Sequence, residues 1–370
     1  MTYLDKAEQT LQRLRDEDRY RQLPERQLGA DVMDFSSNDY LGMAKDPQVV
    51  EALRHATRAG SGGARLLAGR HRELSLLEEE LAGWIGRERA LLFSSGYTAA
   101  VGTIPVLAAL VETILSDRSN HASLIDGIRL SRVPHTIYDH AELPQHSRWQ
   151  NALVVSETLF GMDGDAVDAA ALLETLRDDD ILLLDEAHAL GIAGPQGAGY
   201  ARELRDSRIV VLGTLSKALG TLGGFVAGPA TAIDLLVNRA RSFIFDTALP
   251  PALVLAARVA LHLTRSAGDR RERLRANAMR LRAILRQTQD DTRDDTAESD
   301  TPIIPIVLGS EECALQISEQ LMKRRLYVPA IRPPTVPPGT SRLRVSLRAN
   351  HSFEQIDFLG AEIRRCIATS

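Results

Sequence analysis

The chain has 370 residues, enough for two domains with a sizeable core, and its 44% hydrophobic and 25% charged residues are ordinary globular values. A formal net charge of −5, with arginines scattered among acids, argues against a nucleic acid or a membrane surface as partner. No apolar run reaches the roughly 18 residues that span a bilayer. The start MTYLDKAEQTLQRLRDEDRY lacks the apolar stretch of a signal peptide, and two isolated cysteines, Cys313 and Cys366, make neither a zinc site nor a disulfide framework. The expectation is a soluble, cytoplasmic protein.

In chain order, residues 1–30 read as a charged amphipathic helix followed by a turn at Pro24. DFSSNDYLG (34–42) is polar and turn-rich and leads into a helix from about Pro47. Residues 60–69 hold Ser61-Gly62-Gly63, a loop that can bend sharply, and LSLLEEELAGWIG (74–86) has helical spacing. Short apolar runs then alternate with helical stretches: ALLF (90–93), TILS (113–116), HTIY (135–138), ALVVS (152–156), ILLLD (181–185), RIVVLG (208–213) and GGFVAG (223–228). Runs of this length fit strands buried on both faces, and the alternation implies an α/β fold with a mostly parallel sheet. A long helical region follows from about Pro250 to Gln289, then a polar acidic run at 287–300 that reads as a solvated loop. PIIPIVLG, a helix near 311–325 and LRVSL make a smaller α+β domain at the C-terminus. The boundaries predicted are an N-terminal segment at 1–45, a large domain at 46–270 and a small domain at 271–370.

Lysine is rare here: Lys6, Lys45, Lys217 and Lys323 stand against forty arginines. The first two and the last have polar or charged company. Lys217, in VVLGTLSKALG (210–220), follows an apolar run and sits among Thr, Ser, Ala, Leu and Gly. An ammonium near apolar walls tends to lose its proton, and a neutral amine can attack a carbonyl to form a Schiff base, which a guanidinium cannot. Taken alone, the segment leaves open a lysine snorkelling at a helix start.

Three further pieces break the tie. ILLLDEAH (181–188) brings Asp185 to the carboxyl end of a buried strand, where open α/β sheets place ligands, with His188 three residues on. By itself Asp185 could equally cap the next turn. Ser119-Asn120-His121-Ala122-Ser123 follows another strand. Ser94-Ser95-Gly96-Tyr97-Thr98 joins a strand to a helix, and its backbone amides could hold a phosphate. A phosphate cradle, a strand-end Asp, a flat His and a poised Lys are what pyridoxal phosphate requires: an amine for its aldehyde, a carboxylate to keep its pyridine nitrogen protonated, and an imidazole to stack on its face. Asp185 and Lys217 are 32 residues apart, room for a helix and a strand, which puts both at one edge of a parallel sheet.

With these residues in place, the chain resembles the α-oxoamine synthases among the fold-type I pyridoxal phosphate enzymes. The motifs that carry the resemblance run nearly end to end: DFSSNDYLG, SGGARLLAG (61–69), SSGYTAA (94–100), NHAS (120–123), MDGD (162–165), DEAHALGIAGPQGAG (185–199) and TLSKALGTLGG (214–224). The segment AIRPPTVPPGTSRLRVSL (330–347) is similar to the members that join L-alanine to a pimeloyl thioester in biotin biosynthesis. The resemblance implies a large domain with a mostly parallel sheet and a smaller α+β domain. It gives Lys217 the Schiff base and the proton at the substrate Cα, Asp185 the pyridine nitrogen, His121 the ring face and His188 the phenolic oxygen. Gly96, Tyr97 and Thr214 would hold the phosphate, and Thr247, in FIFDTALPP (243–251), would reach the phosphate of a second copy, which implies a homodimer with shared sites. Asn38 and Arg344 would position the amino acid, and Arg21, Arg332 and Thr335 would lie along the acyl group, carried on coenzyme A or on acyl carrier protein. Three positions depart from the pattern: Gly161 replaces a common Ser before MDGD, Phe245 a common Tyr, and Asp246 a frequent Ser. An acid beside a phosphate is unfavourable, so Asp246 is expected to point away. Two alternatives stay open at this stage: a relative using glycine with an acetyl or succinyl thioester, and a cofactor-binding scaffold without turnover.

Overall fold

The computed structural model describes residues 1–23, 31–140, 142, 151–286 and 300–369. The expected turn at Pro24 and the acidic run after residue 286, apart from Asp300, lie outside the described residues. The chain divides into two compact units, one of residues 1–38, 162–164 and 272–370, the other of 39–161 and 165–271.

The first unit opens with α1 (Tyr3–Asp16), whose N-cap Thr2 and third-position Asp5 form a reciprocal capping box, and with the short strand β1 (Met33–Asp34). The second unit follows: α2 (Pro47–Arg54), α3 (Arg72–Ile85), β2 (Arg89–Phe93), α4 (Gly96–Ala108), β3 (Thr113–Asp117), α5 (Ala122–Ser131), β4 (His135–Tyr138), β5 (Ala152–Glu157), α6 (Ala169–Glu174), β6 (Ile181–Asp185), β7 (Ile209–Thr214), β8 (Gly224–Gly228), α7 (Ala230–Arg239), α8 (Arg241–Ile244) and α9 (Pro251–Ser266). Its seven-stranded sheet has the order β2-β8-β7-β6-β5-β3-β4; β8 runs antiparallel to both neighbours and the other pairings are parallel. All seven strands fall on the apolar runs read from the sequence.

Apart from the exposed edge strand β4, the runs are largely apolar because both sheet faces are covered. Leu182 and Leu184 of β6 point into one cluster, with Leu74, Leu77 and Leu81 of α3 and Val254 and Leu261 of α9. Leu183, between them, joins the opposite cluster with Ile104 and Leu107 of α4, Leu124 of α5 and Leu236 of α7. The two-residue repeat of a strand thus feeds two cores at once. The expected helix between Asp185 and Lys217 is absent: residues 186–208 make two short 3-10 turns, Pro195–Gly197 and Tyr200–Glu203. GIAGPQGAG breaks helical propagation there.

The predicted long helix after Pro250 is two helices, α9 and α10 (Gly268–Arg286), parted at Ala267, whose ψ of 43° is not helical. The C-terminal part of the first unit adds β9 (Ile303–Gly309), α11 (Glu311–Lys323), β10 (Leu326–Tyr327), β11 (Ala330–Ile331), β12 (Ser341–Ser346) and α12 (Phe353–Ala368). β11, β12 and β9 form an antiparallel sheet, and β1 pairs in parallel with β10. That pairing is why residues 1–38 fold with the C-terminal segment instead of forming a segment of their own. No helix among the described residues is long and apolar enough to cross a membrane.

Candidate functional site

Parallel strands end on one edge of a sheet, and the second unit gathers its polar chemistry there. β5 ends in Glu157 and β6 in Asp185, register partners and both buried. β7 ends in Thr214, and Lys217 follows in a turn closed by Gly220 N–H donating to the Lys217 carbonyl at 2.8 Å. Lys217 is therefore half-buried in a strand-end turn, and the helix start left open by its sequence is absent. After β3, Asn120 is buried and donates to Ser116 Oγ (3.0 Å) and the Val155 carbonyl (2.9 Å). This turn sets His121 at the N-cap of α5, where its Nδ1 accepts from Ser123 N–H at 3.2 Å and its own N–H donates to Glu157 Oε1 at 2.8 Å. Burial and the Lys217 charge push the His121 pKa down, against the pull of Asp185. Burial and Asp185 push Glu157 up, although Lys217 and the N–H groups of His121 and Gly161 favour its ionised form. These mutual influences place His121, Glu157, Asp185 and Lys217 within electrostatic reach of one another. Asp185 Oδ1 also accepts from Ala187 N–H at 2.8 Å.

The strand-to-helix loop 94–98 lies at the same edge. Ser95 caps α4 reciprocally with Thr98, which leaves Gly96 and Tyr97 as the first helical residues. β8 comes so close that a Cβ on Gly224 would stand 2.4 Å from Gly96 N, so only glycine admits this approach. A Cβ on Gly96 would lie 3.4 Å from Thr214 Cβ, which brings the helix start and the end of β7 together. The Tyr97 side chain is exposed and its hydroxyl donates to Asp126; what it turns toward the loop is its backbone. Thr214 donates to the Gly223 carbonyl at 3.0 Å. Thr247 is exposed and pairs across an antiparallel bridge with Ala64. Asp246 accepts from Ser94 Oγ and from Thr247 N–H (2.8 Å), so its carboxylate is engaged within its own chain. His188 is buried, with Nδ1 2.7 Å from Tyr40 Oη and its ring against Gly161.

The other candidates belong to the first unit. Arg344, buried on β12, donates to Asn38 Oδ1 (3.1 Å) and Ser346 Oγ (2.7 Å). Arg21 donates to the Pro333 carbonyl at 3.2 Å, and Arg332 to the Asp18 carbonyl. Burial and the Arg21 charge lower the Arg332 pKa, so two guanidinium groups share one neighbourhood. Thr335 is exposed in the turn after them.

Sequence reasoning missed Glu157, Tyr40 and His140. Glu157 ends its strand just as Asp185 does, and inspecting every strand terminus would have found it. Tyr40 lay inside a quoted motif in which only Asn38 was singled out. His140 bridges Asp117 (3.0 Å) and Asp165 (2.7 Å), a contact that no local pattern announces.

The donor set fits pyridoxal phosphate: a lysine and a buried carboxylate on adjacent strand ends, an imidazole beside them and a glycine-led helix start at Thr214. The chain belongs to the aminotransferase class I and II family, whose model matches residues 30–363, and pyridoxal phosphate is its cofactor. A solved structure of SPT with PLP is 28% identical over 100% of this chain and 99% of that one, with a TM-score of 0.87. Within the family the chain stands beside the 8-amino-7-oxononanoate synthases. That of Burkholderia ambifaria is 44% identical over 355 residues, 90% of this chain and 78% of that one. The solved structure of the Francisella tularensis enzyme is 26% identical, covers 91% of this chain and 98% of that one, and has a TM-score of 0.80.

Proposed function

We infer that this chain joins L-alanine to a pimeloyl thioester, releasing carbon dioxide, the free thiol and 8-amino-7-oxononanoate, a reaction of biotin biosynthesis. The observation that carries the reading is Lys217 in the turn after β7, within electrostatic reach of His121, Glu157 and the strand-end Asp185, in a chain 44% identical to enzymes of that name. The same identity disfavours the glycine-using alternative.

When bound, pyridoxal phosphate supplies an electron sink for the pair left at the substrate Cα. Lys217 Nζ would hold the cofactor aldehyde, and its amine is the base placed to move the proton at the substrate Cα. Asp185 would face the pyridine nitrogen and favour its protonated form. His121 would cover one face of the ring and exclude water from it. The backbone N–H groups of Gly96 and Tyr97 would hold the phosphate at the positive end of α4, joined by the Thr214 hydroxyl once its proton turns from the Gly223 carbonyl. Arg344, oriented by Asn38 and Ser346, takes the amino-acid carboxylate, and its planar fork suits that group. Arg21 and Arg332, with Thr335, receive the phosphate-bearing carrier of the acyl group, coenzyme A or acyl carrier protein.

We assign the active form to a homodimer in which Thr247 of one copy completes the phosphate site of the other. Leu67 and Phe245 support this: they are 77% and 70% exposed on the loops that the Ala64–Thr247 bridge joins, an apolar display suited to burial against a second copy.

The test is to mix the enzyme with L-alanine and pimeloyl thioester, on each carrier in turn, and to measure carbon dioxide. Release with alanine on at least one carrier supports the reading. Release only with glycine and an acetyl or succinyl thioester, or no release at all, overturns it.

A further inference from the structure

Two observations converge on the His188 ring. Tyr40 is fully buried, and its hydroxyl lies 2.7 Å from Nδ1, with the ring centroids 6.2 Å apart. At the opposite end of the imidazole, a Cβ built on Gly161 would stand 2.3 Å from Nε2 and 2.8 and 2.9 Å from the adjoining ring carbons. No side chain at 161 can coexist with the ring where it is. The imidazole is therefore held between a phenol and a bare stretch of backbone.

We propose that Tyr40 is a positioning residue that fixes His188 as its Nε2–H tautomer, and that residue 161 is glycine because the ring so held fills the space of a side chain. A phenol is a better donor than acceptor, and a neutral imidazole carries one proton. Donation from Tyr40 Oη to Nδ1 therefore puts the ring proton on Nε2. His188 then offers an N–H donor beside Gly161, suited to an anionic oxygen such as the phenolic oxygen of the cofactor. A hydroxyl side chain at 161 could have supplied such a donor, and in this chain the histidine supplies it. The identity of the oxygen rests on the cofactor reading above; the tautomer does not.

The tautomer is read in the protein without cofactor, labelled with nitrogen-15 at histidine, from a long-range proton–nitrogen correlation spectrum in which the His188→Gln variant identifies the signal. The expected pattern is a lone-pair nitrogen at Nδ1 and a protonated Nε2. In Tyr40→Phe the preference for that tautomer falls by about tenfold, the worth of one hydrogen bond. A proton on Nδ1 in the natural protein, or a pattern unchanged in Tyr40→Phe, overturns the proposal. Circular dichroism checks that the variant folds; if it does not, Gly161→Ala decides, since the methyl group must displace the ring and lower the same preference. In the holoenzyme, Tyr40→Phe and Gly161→Ser should each move the pH midpoint of the cofactor's absorption change and lower kcat more than they raise KM for the amino acid. A midpoint and kcat that both stay put overturn the positioning role. If no cofactor absorption is seen at all, the functional reading fails while the tautomer result stands.

Discussion

Replacing His140 by Gln removes a cation that two carboxylates share. The imidazole lies 3.0 Å from Asp117 Oδ1 through Nδ1 and 2.7 Å from Asp165 Oδ2 through Nε2, with its edge on Phe160. Asp117 also accepts from Ser119 N–H at 2.7 Å, opening the turn that carries His121. The Asp165 carbonyl accepts from Phe160 N–H at 2.9 Å, closing the loop that carries Gly161. His140 thus ties together two loops of the site. Hydrogen bonds to Asp117 and Asp165 raise its pKa from 6.5 to about 10 against the cost of burial. Because the folded value lies above the unfolded one, the stabilisation is complete below about pH 6.5 and is lost as the pH rises through about 10. Undiminished, that rise would correspond to about 5 kcal/mol. With a side chain that is 25% exposed, solvent screening leaves about 2–4 kcal/mol. Urea denaturation of the natural protein and of His140→Gln, near pH 6, 8 and 10.5, should show the variant weaker by that amount at pH 6 and the gap closing by pH 10.5. A gap of equal size at both extremes, or none at pH 6, refutes the reasoning.

Substitutions at three other positions probe the site. Gly224→Val forces a side chain into the Ser95–Gly96 backbone, so cofactor affinity, followed by fluorescence, should fall by at least about tenfold; undiminished affinity contradicts the cradle at the start of α4. Burial and Asp185 push the Glu157 pKa up to about 8 and so favour its neutral form, so Glu157→Gln should hold kcat within about threefold of the natural enzyme, whereas Glu157→Ala strands two N–H donors and should cost about tenfold or more. A Gln variant as impaired as the Ala variant contradicts a neutral Glu157. Arg344→Lys replaces a fork by a point charge and should raise KM for the amino acid by about tenfold or more with kcat little changed; an unaltered KM removes Arg344 from the carboxylate.

Much of the second unit is legible in the sequence because its sheet, apart from the edge strand β4, is buried on both sides. Such strands write themselves as unbroken apolar runs, and ILLLD coincides with β6 from end to end. Asp185 and Lys217 were legible for a related reason: each closes or follows such a run, so its place on the sheet edge follows from the strand. The link between them was misread, since spacing alone cannot distinguish a helix from a glycine-rich loop. There the buried Glu186 carboxylate braces the turn by accepting from Tyr200 and Ala201 N–H at 3.1 and 2.7 Å. Contacts between segments far apart in the chain left no local trace. Tyr40 and His188 are 148 residues apart, and His140 meets Asp117 and Asp165 across 23 and 25. Periodicity reports which face of an element is buried and is silent about which distant polar groups meet there. Asp246 shows the same limit: charge logic expects it to avoid a phosphate, and the structure gives it Ser94 and the Thr247 N–H as partners.

The most direct test of the account is to reduce the pyridoxal phosphate-loaded protein with borohydride, digest it and weigh the peptides. One pyridoxyl phosphate group fixed to Lys217, absent when Lys217→Ala is treated in the same way, is the predicted result. A group fixed to another lysine, or none fixed anywhere, would contradict it.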